Sequence, residues 1–429
     1  GDHRDLHYPL RRQRQMCIRD RYNTIKVNEK PHLTLSPFRC GFFLKEGSIM
    51  PQTILDFDLA STQDTITPRA GVIVLGEYIK GLGLEKLCNS HLPLPQSNRG
   101  FMPFEYVNSL ILMLHSGGRV IEDIKAIQTD EALRKSLKLK NVPTSSAVLK
   151  WLSRVGLMGI YGIESINKTV LLRHLKRVKD DLILDIDASV IESNKWSAWS
   201  TYKECVGYTP MIGHINGGYL IHHEFRDGNM APAYNNLEFI QRCIAQLPKD
   251  RELSWLRADS ASYQTEIFNY CDTNKIDYAI GAKISNNVMR EIEAISNWQK
   301  LPNGEYAGEF IHTMPKAHNA FRVIVTKRVH TPMLPHLTKL FSAEELETYN
   351  STRYHAIATN NNTLSPQEIV KLYRQRANSS ENSIKELKSG FNLDYLPTSN
   401  FISNALYFAI GTLASVSYTH LTLPTKRIV

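Results

Sequence analysis

The stretch Asp181–Ser189, DLILDIDAS, decides how the rest of this chain is read. Leu182, Ile183, Leu184 and Ile186 make a short apolar run of strand formers, bounded by acids. Side chains alternate faces along a strand, so Asp185 and Asp187 are expected on one face of a buried β-strand. A carboxylate is costly to desolvate unless a cation or hydrogen bonds compensate it, and a divalent metal is a common compensator at catalytic sites. The competing reading is an aspartate that simply closes the strand and caps the next turn. Asp187 lies nearer the strand end, two residues before Ser189, and is the expected principal ligand, with Asp185 in an accessory role.

Downstream, the segments Met211–Asn216 and Tyr219–Phe225 around Gly217-Gly218 read as a β-hairpin. Leu237–Leu247 has the period of a helix, Leu253–Ala258 is a short apolar strand ending in Asp259, Thr265–Asn274 is a helix and Tyr278–Ala282 a strand. This order describes a mixed sheet flanked by helices. Two strands ending in aspartate, Asp187 and Asp259, could bring their carboxylates together at one sheet end. Residues 285–365 read as a strand-rich insert, a small β-structure beside that face with Trp298 either in its core, where large aromatics mostly lie, or stacking on DNA. Ser365-Pro-Gln-Glu then has the form of a capping box opening a helix over Ile369–Leu387. Tyr373, Arg376, Glu381 and Lys388 lie on or just after that helix, so a third acid arrives late in the chain among basic and hydroxyl groups.

Upstream, Thr65 to about Lys179 is helical in pattern. Thr67-Pro68 reads as an N-cap with proline at N1, and Phe104–Leu114 as a central helix ended by Gly117-Gly118. Glu122–Leu137 reads as one helix, and a further one opens after Pro143-Thr144 and closes at Gly156. Helix pairs with polar caps suit a DNA groove, although an ordinary bundle has the same pattern. Lys168, Arg173, His174, Lys176, Arg177 and Lys179 fall along one helix, a solvated face or a phosphate-binding one.

Composition excludes several classes. The chain is 42% hydrophobic and 22% charged, and no apolar run approaches the roughly 20 residues of a membrane span. The N-terminus lacks the apolar core of a signal peptide, and a cytoplasmic protein is expected. The six cysteines form no C-x-x-C pair, against both a zinc ribbon and a disulfide framework. The net charge of +9 sits mostly in residues 1–49 and 417–429, so global basicity says little about partners. Those two ends, including QMCIRDR at 15–21 and VSYTHLTLPTKRIV from Val416, resemble translated sequencing-adapter read-through. They are expected to be a non-native leader and a non-native tail, with Met50 as the natural start and the helical run from Phe401 stopping at Val416.

From about Ile49 to Val416 the chain resembles the DDE transposases of bacterial insertion sequences, the cut-and-paste type with a ribonuclease H-like core and a β-rich insertion. The resemblance is carried, in order, by TPRAG at 67–71, LPLPQSNRGFMPFEYVNSLILMLHSGGRVIEDI at 92–124, LDIDAS at 184–189, GYTP at 207–210, EFRDGNMAP at 224–232, LRADSASY at 256–263 and YRQRANSSENSIKELK at 373–388, followed by GFNLDYLP. It implies an α/β fold: a ribonuclease H-like mixed sheet flanked by helices, with the insertion at 285–365, preceded by an all-helical DNA-binding domain at 50–179. The catalytic domain would comprise 180–284 and 366–416. It implies Asp187, Asp259 and Glu381 as catalytic acids and metal ligands, and Tyr373, Arg376 and Lys388 as the DNA-binding members of the signature helix. Two Mg²⁺ ions, replaceable by Mn²⁺, would serve phosphodiester cleavage and strand transfer, for which hard oxygen ligands are appropriate. The implied partners are double-stranded DNA, as terminal inverted repeats and target, and a second copy of the chain in a synaptic homodimer, with no membrane involvement and a nucleoid-associated location in a bacterial cytoplasm. The alternatives are a nuclease of the same fold without strand transfer and an inactive DNA-binding derivative.

One spacing departs from the family. Four residues, Ala377 to Ser380, separate Arg376 from Glu381 where the family has three. On a regular helix the extra residue rotates Arg376 by about 100° away from Glu381. Arg374 could stand in, or a π-bulge at Ser379-Ser380 could absorb the insertion. His214, His222 and His223 are competing metal candidates, without a matching cysteine or acid spacing.

Overall fold

The computed structural model describes residues 63–426 except Arg177, Gly217, 329–351 and 377–379, with side chains as far as Ser417. The expected leader and Met50 lie outside the described residues. From Ile66 onward the chain forms one structural unit.

Helix α1 (Ala70–Gly81) buries Val72, Leu75 and Ile79 and is followed by α2 (Leu84–His91). It begins later than Thr67-Pro68 suggests because Thr67 is otherwise engaged: its hydroxyl donates to Asp130 Oδ2 at 2.7 Å and accepts from the Arg69 amide at 3.0 Å. Helix α3 (Pro103–His115) is the centre of the bundle, with Val107, Leu110, Ile111 and Leu112 fully enclosed. It ends at Gly117, whose φ of +81° turns the chain so that the Gly118 amide returns to the Met113 carbonyl. The single helix expected over Glu122–Leu137 is broken into a 3₁₀ turn (Ile121–Ile124), α4 (Lys125–Gln128) and α5 (Glu131–Ser136). Asp130 makes the break, since its carboxylate accepts from the Leu133 amide at 3.0 Å as an N-cap and pairs with Arg69 at 3.2 Å. Gly156 likewise fails to end its helix. Helix α6 (Ser145–Leu175), capped by Thr144, runs through Gly156 with a kink where φ is +53° and ψ −135°.

The strands and helices that follow are β1 (Leu182–Ala188), β2 (Ile191–Glu192), β3 (Trp199–Ser200), β4 (Val206–Tyr208), β5 (Met211–Ile215), β6 (Tyr219–Glu224), α7 (Asn236–Ile244), β7 (Leu253–Ala258), α8 (Thr265–Thr273), β8 (Asp277–Gly281), α9 (Asn286–Glu293), β9 (Gln299–Lys300), β10 (Tyr306–His312), β11 (Phe321–Arg328), β12 (Arg353–Thr359), α10 (Pro366–Arg376), α11 (Asn382–Lys385) and α12 (Phe401–Lys426). The main sheet has the order β6-β5-β1-β7-β8-β12-β11-β10-β9. Strands β1, β7 and β8 run parallel, and the β5–β6 hairpin lies antiparallel beside β1. These five strands form the ribonuclease H-like core. The strands of the 285–365 segment do not form a separate small structure as expected. They continue the same sheet, because β12 hydrogen-bonds to β8 through Ile357 and Ala358 and so covers an edge that would otherwise be unpaired. Trp298 is partly buried there, packed against the core with its indole N–H on the Ile295 carbonyl. Strands β2, β4 and β3 form a small second sheet.

One core cluster joins Leu184 and Ile186 to Phe239, Ile267 and Phe268 of α7 and α8. Another joins the bundle helices to Leu406, Phe408, Ile410 and Leu413 of α12, and to Ile212 and Leu220 of the hairpin. Helix α12 packs along α6 and α3, so the helices of the first half are closed by the last helix of the chain. It does not stop at Val416 but runs on to Lys426.

Candidate active site

The parallel register pairs Ile186 of β1 with Ala258 of β7, so Asp187 and Asp259 stand at corresponding positions where the two strands end. The carboxyl ends of parallel strands are where open α/β sheets receive ligands. Asp259 also begins a 3₁₀ turn, its carboxylate accepting from the Ala261 amide at 3.0 Å.

The same register sets Asp185 opposite Arg257. Both oxygens of the fully buried Asp185 accept from Arg257, Oδ1 from Nε at 2.6 Å and Oδ2 from Nη2 at 2.7 Å. Arg257 Nη1 then donates to the Leu372 carbonyl at 2.7 Å, tying β1 and β7 to α10. The accessory metal role expected for Asp185 is therefore replaced by a structural one, since a bidentate guanidinium already supplies its countercharge.

Burial raises the pKa of Asp187 to about 6; the Arg376 guanidinium works against this, and the charges of Asp259 and Glu381 add to it. Arg376, itself buried, ends α10 with Nη2 at 3.2 Å from Asp187 Oδ2 and 3.4 Å from the Ile186 carbonyl. Ser380 and Glu381 are π-helical, a geometry in which residues five apart become neighbours, and Ser379 of the expected bulge lies outside the described residues. Arg374 does not stand in for Arg376, being paired instead with Glu305 at 2.5 Å.

Glu381 and Asp187 line a cavity of about 380 Å³ together with Ser189, Lys203, Lys385 and Lys388, whereas Asp259 is not among its lining residues. Lys388 donates to the Val190 carbonyl at 2.7 Å. The Tyr373 ring lies 5.2 Å from His355, and its hydroxyl faces Gly281, where an added Cβ would approach it to 2.9 Å. Burial raises the Tyr373 pKa, opposed by Arg376 and reinforced by Asp259 and Asp187. Lys203 also lines this cavity, and sequence reasoning left it unassigned. The signal available was the row of aromatic residues bracketed by Lys195 and Lys203.

The histidines belong to the core. Burial lowers the pKa of His214 and His222 to about 4 and of His223 to about 3, so all three are neutral, and His222 and His223 pack on Phe239 and Phe408. Among the described residues no three histidine, cysteine or acidic side chains stand close enough to enclose a metal ion. The donor chemistry of Asp187, Asp259 and Glu381 nonetheless fits a hard divalent ion, being oxygen only, with a cationic group already drawn to Asp187.

A ribonuclease H-like sheet bearing two aspartates at the ends of neighbouring parallel strands, with a glutamate supplied by a late helix, defines the DDE class of fold. The chain belongs to the transposase DDE domain group 1 family, whose model matches residues 57–424. Comparison with curated proteins finds no match. Membership supports a transposase function, with DNA as the partner and divalent metal as the metal that such enzymes generally use. No described helix is long and apolar enough to cross a membrane.

Proposed function

We propose that the chain cleaves DNA at insertion-sequence ends and transfers the resulting strand into target DNA, as a homodimer in a bacterial cytoplasm. The observation that carries this reading is the position of Asp187 and Asp259, each one residue past the Ile186–Ala258 pair of the β1–β7 register, with Glu381 lining the same cavity as Asp187. Asp187, Asp259 and Glu381 would hold two Mg²⁺ ions, which Mn²⁺ could replace. When bound, such a pair activates the attacking oxygen and stabilises the leaving one. Arg376 favours the ionised form of Asp187, the form that can act as a ligand. Lys388 at the cavity rim, with Arg376 and Tyr373, would bind and orient the phosphates flanking the scissile bond.

The test is nicking of a plasmid carrying the element's ends, followed by joining of a pre-cut end to target DNA, with Mg²⁺ or with EDTA. Asp187→Asn, Asp259→Asn and Glu381→Gln should each lower both activities about a thousand-fold, the equivalent of several kcal/mol of transition-state stabilisation. Nicking without joining would identify a nuclease. DNA binding with neither activity would identify an inactive derivative.

A further inference from the structure

Between β2 and β4 the chain reads SNKWSAWSTYKECV over residues 193–206. Trp196 is 94% exposed, Trp199 58% and Tyr202 46%, although large aromatic side chains are ordinarily among the more buried. The segment is nevertheless tied down. The Ser193 amide donates to the Val206 carbonyl at 3.0 Å, the Thr201 amide to the Cys205 carbonyl at 2.8 Å, and Ser197 Oγ lies 2.6 Å from the Tyr208 hydroxyl. Gly207 and Gly228 leave no room for a side chain against the backbones of Ile191 and Trp199, which fixes the strand carrying Trp199. The rings therefore stand on a built frame.

That frame adjoins the acids. Lys203 lines the cavity that holds Asp187 and Glu381, and the Tyr202 hydroxyl, its pKa raised first by burial, also feels Asp187 and Asp259. Lys195 and Lys203 bracket the three aromatic residues, and Glu192 and Glu204 are the acids of the same stretch. Lysine is depleted in the cores of protein interfaces, whereas lysines at either end of a row of exposed rings suit a polyanion whose bases are available for stacking. Within a duplex the base faces are hidden in the stack except at its two ends, so a row of flat exposed rings is matched by a run of unpaired bases.

We propose that Trp196, Trp199 and Tyr202 form a stacking platform for unpaired nucleotides of the DNA strand that enters the acid cavity beside Lys203. The inference rests on the DNA-processing reading above and adds to it a single-strand subsite. The test uses the full chain in EDTA, so that no cleavage occurs, and measures anisotropy of fluorescein-labelled oligo(dT) and of a blunt duplex of equal length. Trp196→Ala/Trp199→Ala should weaken oligo(dT) binding about tenfold or more, the effect of losing at least one stacked base, with duplex affinity and melting temperature unchanged. Trp196→Phe/Trp199→Phe should restore most of the affinity, since a phenyl ring still stacks.

Unchanged oligo(dT) binding in the alanine variant would overturn the proposal, as would equal losses for oligo(dT) and duplex. A variant that binds oligo(dT) normally but sediments in a different oligomeric state would assign the patch to a second copy of the chain instead. If the wild-type chain binds duplex, and cleaves it once Mg²⁺ is supplied, but ignores oligo(dT), only the stacking inference fails. If it binds neither, the DNA reading falls with it.

Discussion

Asp187 stands among opposing influences whose balance sets its behaviour in the absence of metal. Its native pKa of about 6 lies above the unfolded value of about 3.9, so between these values the folded state binds more protons than the unfolded one. Stability of the metal-free protein should therefore fall as pH rises from about 4 to about 6, by at most about 1.4 kcal/mol per pH unit, and then level off with respect to this group. Denaturant titrations in EDTA across that range should show stability falling more steeply in the wild type than in Asp187→Asn. Arg376→Ala, which removes the one neighbour lowering this pKa among the charges named, should extend the declining window above pH 6. Asp185 makes a contrasting case. Replacing it with asparagine strands Arg257 in the core and should cost about 3–5 kcal/mol in urea unfolding, whereas Asp185→Leu with Arg257→Met should cost much less because both charges leave together. The sequence places both aspartates on one strand, but it holds no sign that Arg257, 72 positions later, meets the first and not the second.

At the scale of elements, strands were more legible than helix ends. The apolar runs of β1 and β7 have few ways to satisfy their backbones other than in a sheet, and Leu253–Ala258 falls where its pattern predicts. Helix breaks depend on distant partners. Asp130 interrupts the expected 122–137 helix because Thr67 and Arg69 meet its carboxylate, contacts that no local period reveals. Gly156 reads as a stop, yet α6 resumes beyond it, because the residues after it, Ile163, Ile166 and Val170, are buried in the bundle. An added Cβ at Gly156 would meet only Ile402 Cγ2, at 3.8 Å, so Gly156→Ala is a test of backbone strain without a clash. It should destabilise the protein by about 1–3 kcal/mol in denaturant unfolding, with the structure otherwise retained.

For the whole molecule, the decisive arrangement is that α12 closes the bundle begun by α1 and also faces the β5–β6 hairpin. Leu406, Phe408, Ile410 and Leu413 are all enclosed, and burial of such side chains contributes about 1.5–3 kcal/mol each, together comparable with the whole stability of an ordinary domain. Deleting residues 401–426 should therefore unfold the helical layer, seen as loss of helical circular dichroism and of amide protection in α3 and α6. By itself the sequence determined the succession of strands and helices along the catalytic half, the acid at each strand end and the capping box at Ser365, because alternation, hydrophobic runs and cap chemistry act over a few residues. Only the tertiary structure decided that the 285–365 strands extend the main sheet, that Asp185 answers Arg257 while Asp187 meets Arg376, and that the last helix completes the first half of the chain. Each of these depends on which edge, charge or apolar face remains unsatisfied after the local elements have formed, and its partner lies many residues away.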